Sequence, residues 1–107
     1  MKTLKLFDHL APLVLSGEKT TTWRMFDDKD LQVGDDIRFI KTNSGEEFAF
    51  ARITAVTEKK LGEIGEADYA GHERYGSPEE LLASFRKAYG DQVTMDTPVK
   101  MIEFKVI

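Results

Sequence analysis

Apolar and polar positions alternate along the chain in a way that marks out short strands, two helices and the turns between them. Leu4 and Leu6 predict a short first strand. Leu10, Leu13 and Val14 then recur at helical spacing over residues 8–16, with Asp8 as the candidate cap and Gly17 as the stop. The β-branched and aromatic run from Lys19 to Met25 predicts a second strand. Residues 26–34 form the longest loop candidate, in which Asp27-Asp28-Lys29-Asp30 reads as solvated. Val33-Gly34-Asp35-Asp36, with Asp35 capping the turn, leads into a strand over Ile37 to Lys41. Asn43-Ser44-Gly45 is a further turn. Glu47 to Thr57 then alternates as a long strand, with Ala49, Ala51, Ile53 and Ala55 on one face and Phe48, Phe50 and Val56 on the other, so both faces are expected to be covered.

Residues 61–75 read as irregular with helical pieces. Ser77-Pro78-Glu79-Glu80 carries the full set of helix-start signals: a serine cap, proline in the first turn and glutamate three residues after the cap. Leu81, Leu82, Phe85 and Tyr89 follow on one face, and Gly90 supplies the stop. Val99 to Ile107 predicts a closing strand with Ile102, Phe104 and Val106 inward. Strands, an early helix, a late helix and a return strand make an α+β arrangement on a curved or barrel-like sheet.

With 107 residues, 41% hydrophobic and 32% charged, the chain suits one domain over 1–107 with a core large enough to fold without disulfide or metal. No apolar run approaches the length of a membrane span, and the first residues lack a secretory pattern, so a cytoplasmic protein without membrane contact is expected. The absence of cysteine excludes thiol catalysis and thiolate metal sites. His9 and His72 belong to no metal-ligand spacing, so no metal and no cofactor is expected. His72 is read as a surface residue, and the acids between Glu63 and Glu80 as solvated charge. A net charge of −4 works against long polyanions and fits a small polar ligand more easily. Lys19, Arg24, Arg38, Lys41 and Arg52 nevertheless gather in the strand-rich first half, where a local basic patch could form.

The candidate chemistry lies in Gly17-Glu18-Lys19-Thr20-Thr21-Thr22-Trp23-Arg24, where a glycine turn delivers a lysine, three hydroxyls and an arginine onto one short stretch. Taken alone, the threonines are good strand formers and read as strand surface, and Trp23 reads as a packing residue. On a regular strand, moreover, residues three apart point to opposite faces. Lys19 and Thr22 can therefore meet only if Lys19 lies in the turn that follows Gly17.

Leu15 to Arg24, then Val33-Gly34-Asp35, then Glu73 ahead of Ser77-Pro78-Glu79-Glu80-Leu81, and finally Ile102-Glu103-Phe104 together resemble an ASCH domain of the PUA-like superfamily. The resemblance spans nearly the whole chain. It implies a PUA-like β-barrel of about five or six mostly antiparallel strands with two or three flanking helices, and a cleft over the Gly-x-Lys-Thr stretch. Within the family the chain is similar to the small bacterial members that hydrolyse the acetyl amide of N4-acetylcytidine.

That similarity implies a catalytic set of Lys19, Thr22 and Glu73. Glu73 matches with a one-residue offset from the helix start, and the unshifted position is Arg74. Thr22 would be the nucleophile, Lys19 its base, and Glu73 a proton shuttle or an acceptor for the cytosine edge. For Lys19 to act as a base, its pKa must fall well below the ordinary value of about 10.4. Arg24, Thr20, Trp23 and Tyr75 are the candidate substrate-binding residues, Arg24 for a carbonyl oxygen or ribose hydroxyl and Tyr75 for stacking on a pyrimidine. The implied partner is a small nucleoside. The alternative is an RNA-binding ASCH domain, non-catalytic or ribonucleolytic, with single-stranded RNA as partner. The sequence leaves the oligomeric state open between monomer and weak dimer.

Overall fold

The computed structural model describes residues 1–107 and contains five strands in one curled sheet with two α-helices against it. In chain order these are β1 (Lys2–Leu6), α1 (Ala11–Ser16), β2 (Thr21–Arg24), β3 (Asp36–Lys41), β4 (Glu47–Lys60), α2 (Pro78–Tyr89) and β5 (Pro98–Val106). Across the sheet the order is β1-β3-β4-β5-β2; β1 runs parallel to β3 and the other pairs are antiparallel. Five mostly antiparallel strands in a half-barrel with two flanking helices are the α+β, PUA-like architecture the sequence implies. No helix is long and apolar enough to cross a membrane.

Strand periodicity builds two cores, one on each face of the sheet. On β5, Ile102 and Phe104 join Leu4, Leu6, Ile37, Phe39, Ala51 and Ile53 inside the curl, closed by Leu10 and Val14 at the α1 end. Val99 and Met101, one step out of phase, face the other way and pack with Trp23, Leu61, Leu81 and Phe85. The register pairs Thr22 with Ile102 and Trp23 with Met101, so these consecutive residues of β2 point to opposite faces. The helix α2 starts as its sequence requires: the Ser77 hydroxyl accepts from the Glu80 amide at 3.1 Å, and Glu80 Oε2 accepts from the Gly76 amide at 2.8 Å.

Several local expectations are corrected. The first helix is split into a 3-10 turn over Asp8–Leu10 and then α1, and Asp8 does not cap it; its carboxylate accepts the Asn43 amide at 3.2 Å instead. The second strand is shorter than Lys19 to Met25, because the Thr20 and Thr21 amides both donate to the Gly71 carbonyl, at 2.9 and 3.2 Å. On β4, register shifts near Phe48 and Thr54 break the alternation: Val56 and Phe48 pack against the inner core, whereas Phe50 is exposed. Val106 is also exposed, since nothing covers the sheet rim beside Leu15.

The loop between β2 and β3 is solvated at Asp28, Lys29 and Asp30, as its charge suggests, but Asp27 and Leu31 turn inward. Leu31 is fully buried in the inner core, and Asp27 organises the backbone around it. Its carboxylate accepts from the Lys29 and Leu31 amides, both at 2.9 Å, and from Lys100 Nζ at 2.7 Å. Burial pushes Asp27 up, yet the Lys100 ammonium and the two amides together hold it down at about 2.

Candidate active site

β1 and β2 are the two edges of the curled sheet, and a cleft of about 440 Å³ opens along the seam between them, roofed by α2. Arg24 spans the seam, its guanidinium donating to the Lys5 carbonyl on the opposite edge at 2.6 Å. Apolar walls come from Phe7 and Leu10 on one side and from Phe85 and Tyr89 of α2 on the other.

Lys19 reaches this cleft because it precedes the regular strand. Gly17 terminates α1 with a left-handed φ of 84°, and the Lys19 amide folds back onto the Leu13 carbonyl at 3.0 Å. Freed from strand alternation, the side chain turns inward to line the cleft that Thr22 also lines. The geometric requirement on this pair is met. Lys19 is 3% exposed, and its Nζ contacts Glu73 Oε2 at 2.6 Å across 54 residues of sequence. Burial, abetted by the Arg24 charge, pulls the Lys19 amine below its ordinary value against the opposing pull of Glu73.

Glu73 is held by the clamp at Gly71. That residue has a φ of +73°, and a Cβ there would stand 2.0 Å from Thr20 Oγ1, so only glycine permits the approach. Immediately after it, His72 turns its ring onto Trp23, with centroids 3.7 Å apart and planes within 13°. The His72 side chain is 3% exposed; Nδ1 donates to the Glu73 carbonyl at 2.8 Å and lies 3.4 Å from Glu73 Oε2. Burial, with the neighbouring Lys19 charge, pushes His72 down to about 4, so the ring is neutral at pH 7. Burial raises Glu73, but the His72 charge where that ring is protonated, together with the Lys19 ammonium and its hydrogen bond, holds the carboxylate below its usual range.

The structure thus brings Lys19, Thr22, Arg24, Trp23, Glu73 and Tyr75 onto one cleft. Arg74, the residue at the unshifted position, points away and pairs with Glu66 on the surface. Thr20 is corrected: it is exposed, lies outside the cleft and anchors Gly71. Trp23 is 5% exposed and packs in the outer core, with its Nε1 unpartnered. His72 is corrected from surface residue to buried neighbour of Glu73. Ser84 and Tyr89 of α2 also line the cleft, and the helical spacing of Phe85 and Tyr89 was their only trace in the sequence. The presumed basic patch does not form: Arg38, Lys41 and Arg52 pair with Glu47, Glu46 and Asp36. Nowhere do three metal-ligating side chains converge.

Comparison with known proteins places this geometry in context. The family model described as "ASCH domain" matches residues 1–107. Protein EF3133 from Enterococcus faecalis V583 is similar in structure, with a TM-score of 0.78 at 19% identity over 100% of this chain and 80% of its own. The hypothetical protein PH0355 gives a TM-score of 0.77 at 22% identity over the whole of both chains. The ASCH domain from Lactobacillus crispatus JV V101 gives 0.64 at 19% identity, over 98% of this chain and 79% of its own. No curated protein sequence matches.

Proposed function

The chain belongs to the ASCH domain family, and from that premise we propose that its cleft is the active site of a metal-independent amidohydrolase, which removes the acetyl group from N4-acetylcytidine or a related N4-acylated cytosine. One contact carries the reading: the 2.6 Å pair of Lys19 Nζ with Glu73 Oε2, with the lysine at 2% side-chain exposure, on the wall that also holds Thr22. Burial makes this lysine hold its proton less tightly than an ordinary one, so a neutral fraction can act as base, and it stands beside a hydroxyl and a carboxylate that can relay its proton.

In the proposed reaction, Thr22 Oγ1 attacks the acyl carbon as Lys19 takes its proton, and the carbonyl electron pair moves onto oxygen. Arg24, whose guanidinium lines the cleft, receives that developing charge. Collapse of the tetrahedral adduct breaks the bond to N4, and the proton held by Lys19 passes through Glu73 to the departing nitrogen. Cytidine leaves neutral. Water then attacks the acyl-threonine ester as Lys19 accepts its proton, and collapse of the second adduct breaks the bond to Thr22 Oγ1, which takes that proton back from Lys19, releasing the carboxylic acid and restoring both residues. Tyr75 and the α2 aromatics provide faces on which the pyrimidine ring can pack. His72 fixes the Glu73 main chain.

The test is chromatographic conversion of N4-acetylcytidine to cytidine by purified, chelator-treated protein, beside Thr22→Val and Lys19→Met variants whose folding is checked by circular dichroism. Turnover by the parent that both substitutions abolish supports the assignment. No turnover above the uncatalysed rate overturns it.

A further inference from the structure

Charge is distributed unevenly over this molecule. Of its 15 lysines and arginines, nine hold a carboxylate within 4.0 Å, leaving Lys5, Arg24, Lys60, Arg86, Lys87 and Lys105. Three of those six, Lys5, Arg24 and Lys87, line the cleft. Although the chain carries 19 acids and a net charge of −4, the cleft contains one carboxylate, Glu73, already neutralised by Lys19. The seam is therefore a positive hole in an acidic protein, and low-dielectric walls focus such a field onto whatever enters.

Arg24 sharpens the argument. Its Nε is buried and has no partner, and one terminal nitrogen is occupied by a neutral carbonyl, that of Lys5. The neighbours that support its charge are the Tyr89 hydroxyl and, more weakly, Asp27, a carboxylate already committed to Lys100 at 2.7 Å. A largely buried guanidinium without its own anion is unfavourable unless a ligand supplies one. An uncharged nucleoside gives this set of cations nothing to neutralise.

We propose that the ligand of the cleft is anionic: a cytidine mononucleotide, N4-acylated as substrate, whose phosphate lies between Lys5 on β1 and Lys87 on α2 in the field of Arg24. The proposal rests on the amidohydrolase reading for the identity of the base but not for the phosphate. Two flexible ammonium groups at opposite lips of the mouth suit a phosphate as point charges, and the buried arginine makes entry of the negative group favourable. One phosphate held by exposed lysines gives a moderate, salt-sensitive gain rather than the steep response of a polymer spread over many contacts.

Calorimetric titration of the intact protein with cytidine, with its 5′- and 3′-monophosphates, with inorganic phosphate and with a short single-stranded oligocytidine tests this without any turnover. A monophosphate is expected to bind about tenfold tighter than cytidine at low salt, with the advantage shrinking as salt rises. Lys5→Gln and Lys87→Gln should each cut nucleotide affinity about two- to fivefold and leave cytidine unchanged. Equal affinity for cytidine and both monophosphates, or a preference that neither substitution reduces, overturns the proposal. So does inorganic phosphate binding as tightly as the nucleotide, or oligocytidine binding tighter than the monophosphate. If cytidine binds without any phosphate advantage, the proposal fails while the amidohydrolase reading stands. If no ligand binds, the proposal fails and the turnover assay decides the other reading by itself.

Discussion

Two of the partly buried lysine–carboxylate pairs on this molecule, Lys19–Glu73 at 2.6 Å and Lys100–Asp27 at 2.7 Å, are nearly equal in length. They differ in which partner is shielded. In the loop pair the carboxylate is the more buried member, and two amides join the lysine to satisfy it. In the cleft the amine is buried at 2% exposure and the acid remains 31% exposed. A shielded carboxylate surrounded by donors becomes more acidic and locks a loop. A shielded ammonium with a single acceptor loses affinity for its proton and becomes available for chemistry. Contact distance alone does not separate the two roles.

The contrast breaks most sharply under exchange of the lysines. Lys19→Met is expected to lower turnover of N4-acetylcytidine by about 10³-fold or more while the melting temperature changes little, as befits loss of a general base. Lys100→Met should do the reverse, and steady-state kinetics beside thermal melts checks both. If Lys100→Met costs as much activity as Lys19→Met, the division of roles is wrong.

His72 gives the next effect. Its folded pKa of about 4 lies below the ordinary 6.5, so in that interval the unfolded chain takes up a proton that the folded one refuses. The stability contributed by the neutral ring is complete above pH 6.5 and falls by about 3 kcal/mol as the pH drops to 4. Urea titrations across that range, run beside His72→Asn, should show the slope in the parent and its loss in the variant.

Asp27→Ala should cost about 2 kcal/mol at neutral pH through its lost donors. The parent should shed that contribution only as the pH falls from 3.8 towards 2, because a lowered carboxylate pKa stabilises above the unfolded value and ceases to do so below the folded one. Denaturant melts at pH 7 and 3 measure this. The smallest effects belong to residues beside the site in sequence but outside it in space. Thr20→Ser and Arg74→Gln should leave kcat/KM within about twofold, since the changes are conservative or exposed and miss the reacting groups. Glu73→Gln should reduce it by about 10²-fold or more. An equal loss in Arg74→Gln would return the third role to the unshifted position.

Strand and helix periods made most of the fold legible: the α2 start, the inward face of β5 at Ile102 and Phe104, and the stop of the first helix at Gly17 all follow from local pattern. What escaped depends on partners distant in sequence. His72 was read as surface because nothing nearby announces that its ring meets Trp23. Asp27 was read as solvated because the amides it accepts become visible only when Leu31 is drawn into the core. Thr20 sat among its neighbours as an apparent equal, but Gly71 claims its backbone on the other side of the strand. Periodicity reports the face a side chain presents and is silent about who arrives to meet it.

The clamp at Gly71 also bears on the order of folding. Thr21 Oγ1 reaches the Gly71 carbonyl across 50 residues, and Lys19 reaches Glu73 across 54. Contacts of such separation must await closure of the intervening chain, which includes β3, β4 and the turns that join them. The reactive cluster is therefore expected to assemble among the late events, after the more local pairing of β3 with β4. In a refolding experiment, activity would serve as a clock for completion of the whole molecule, lagging behind any signal from the sheet alone.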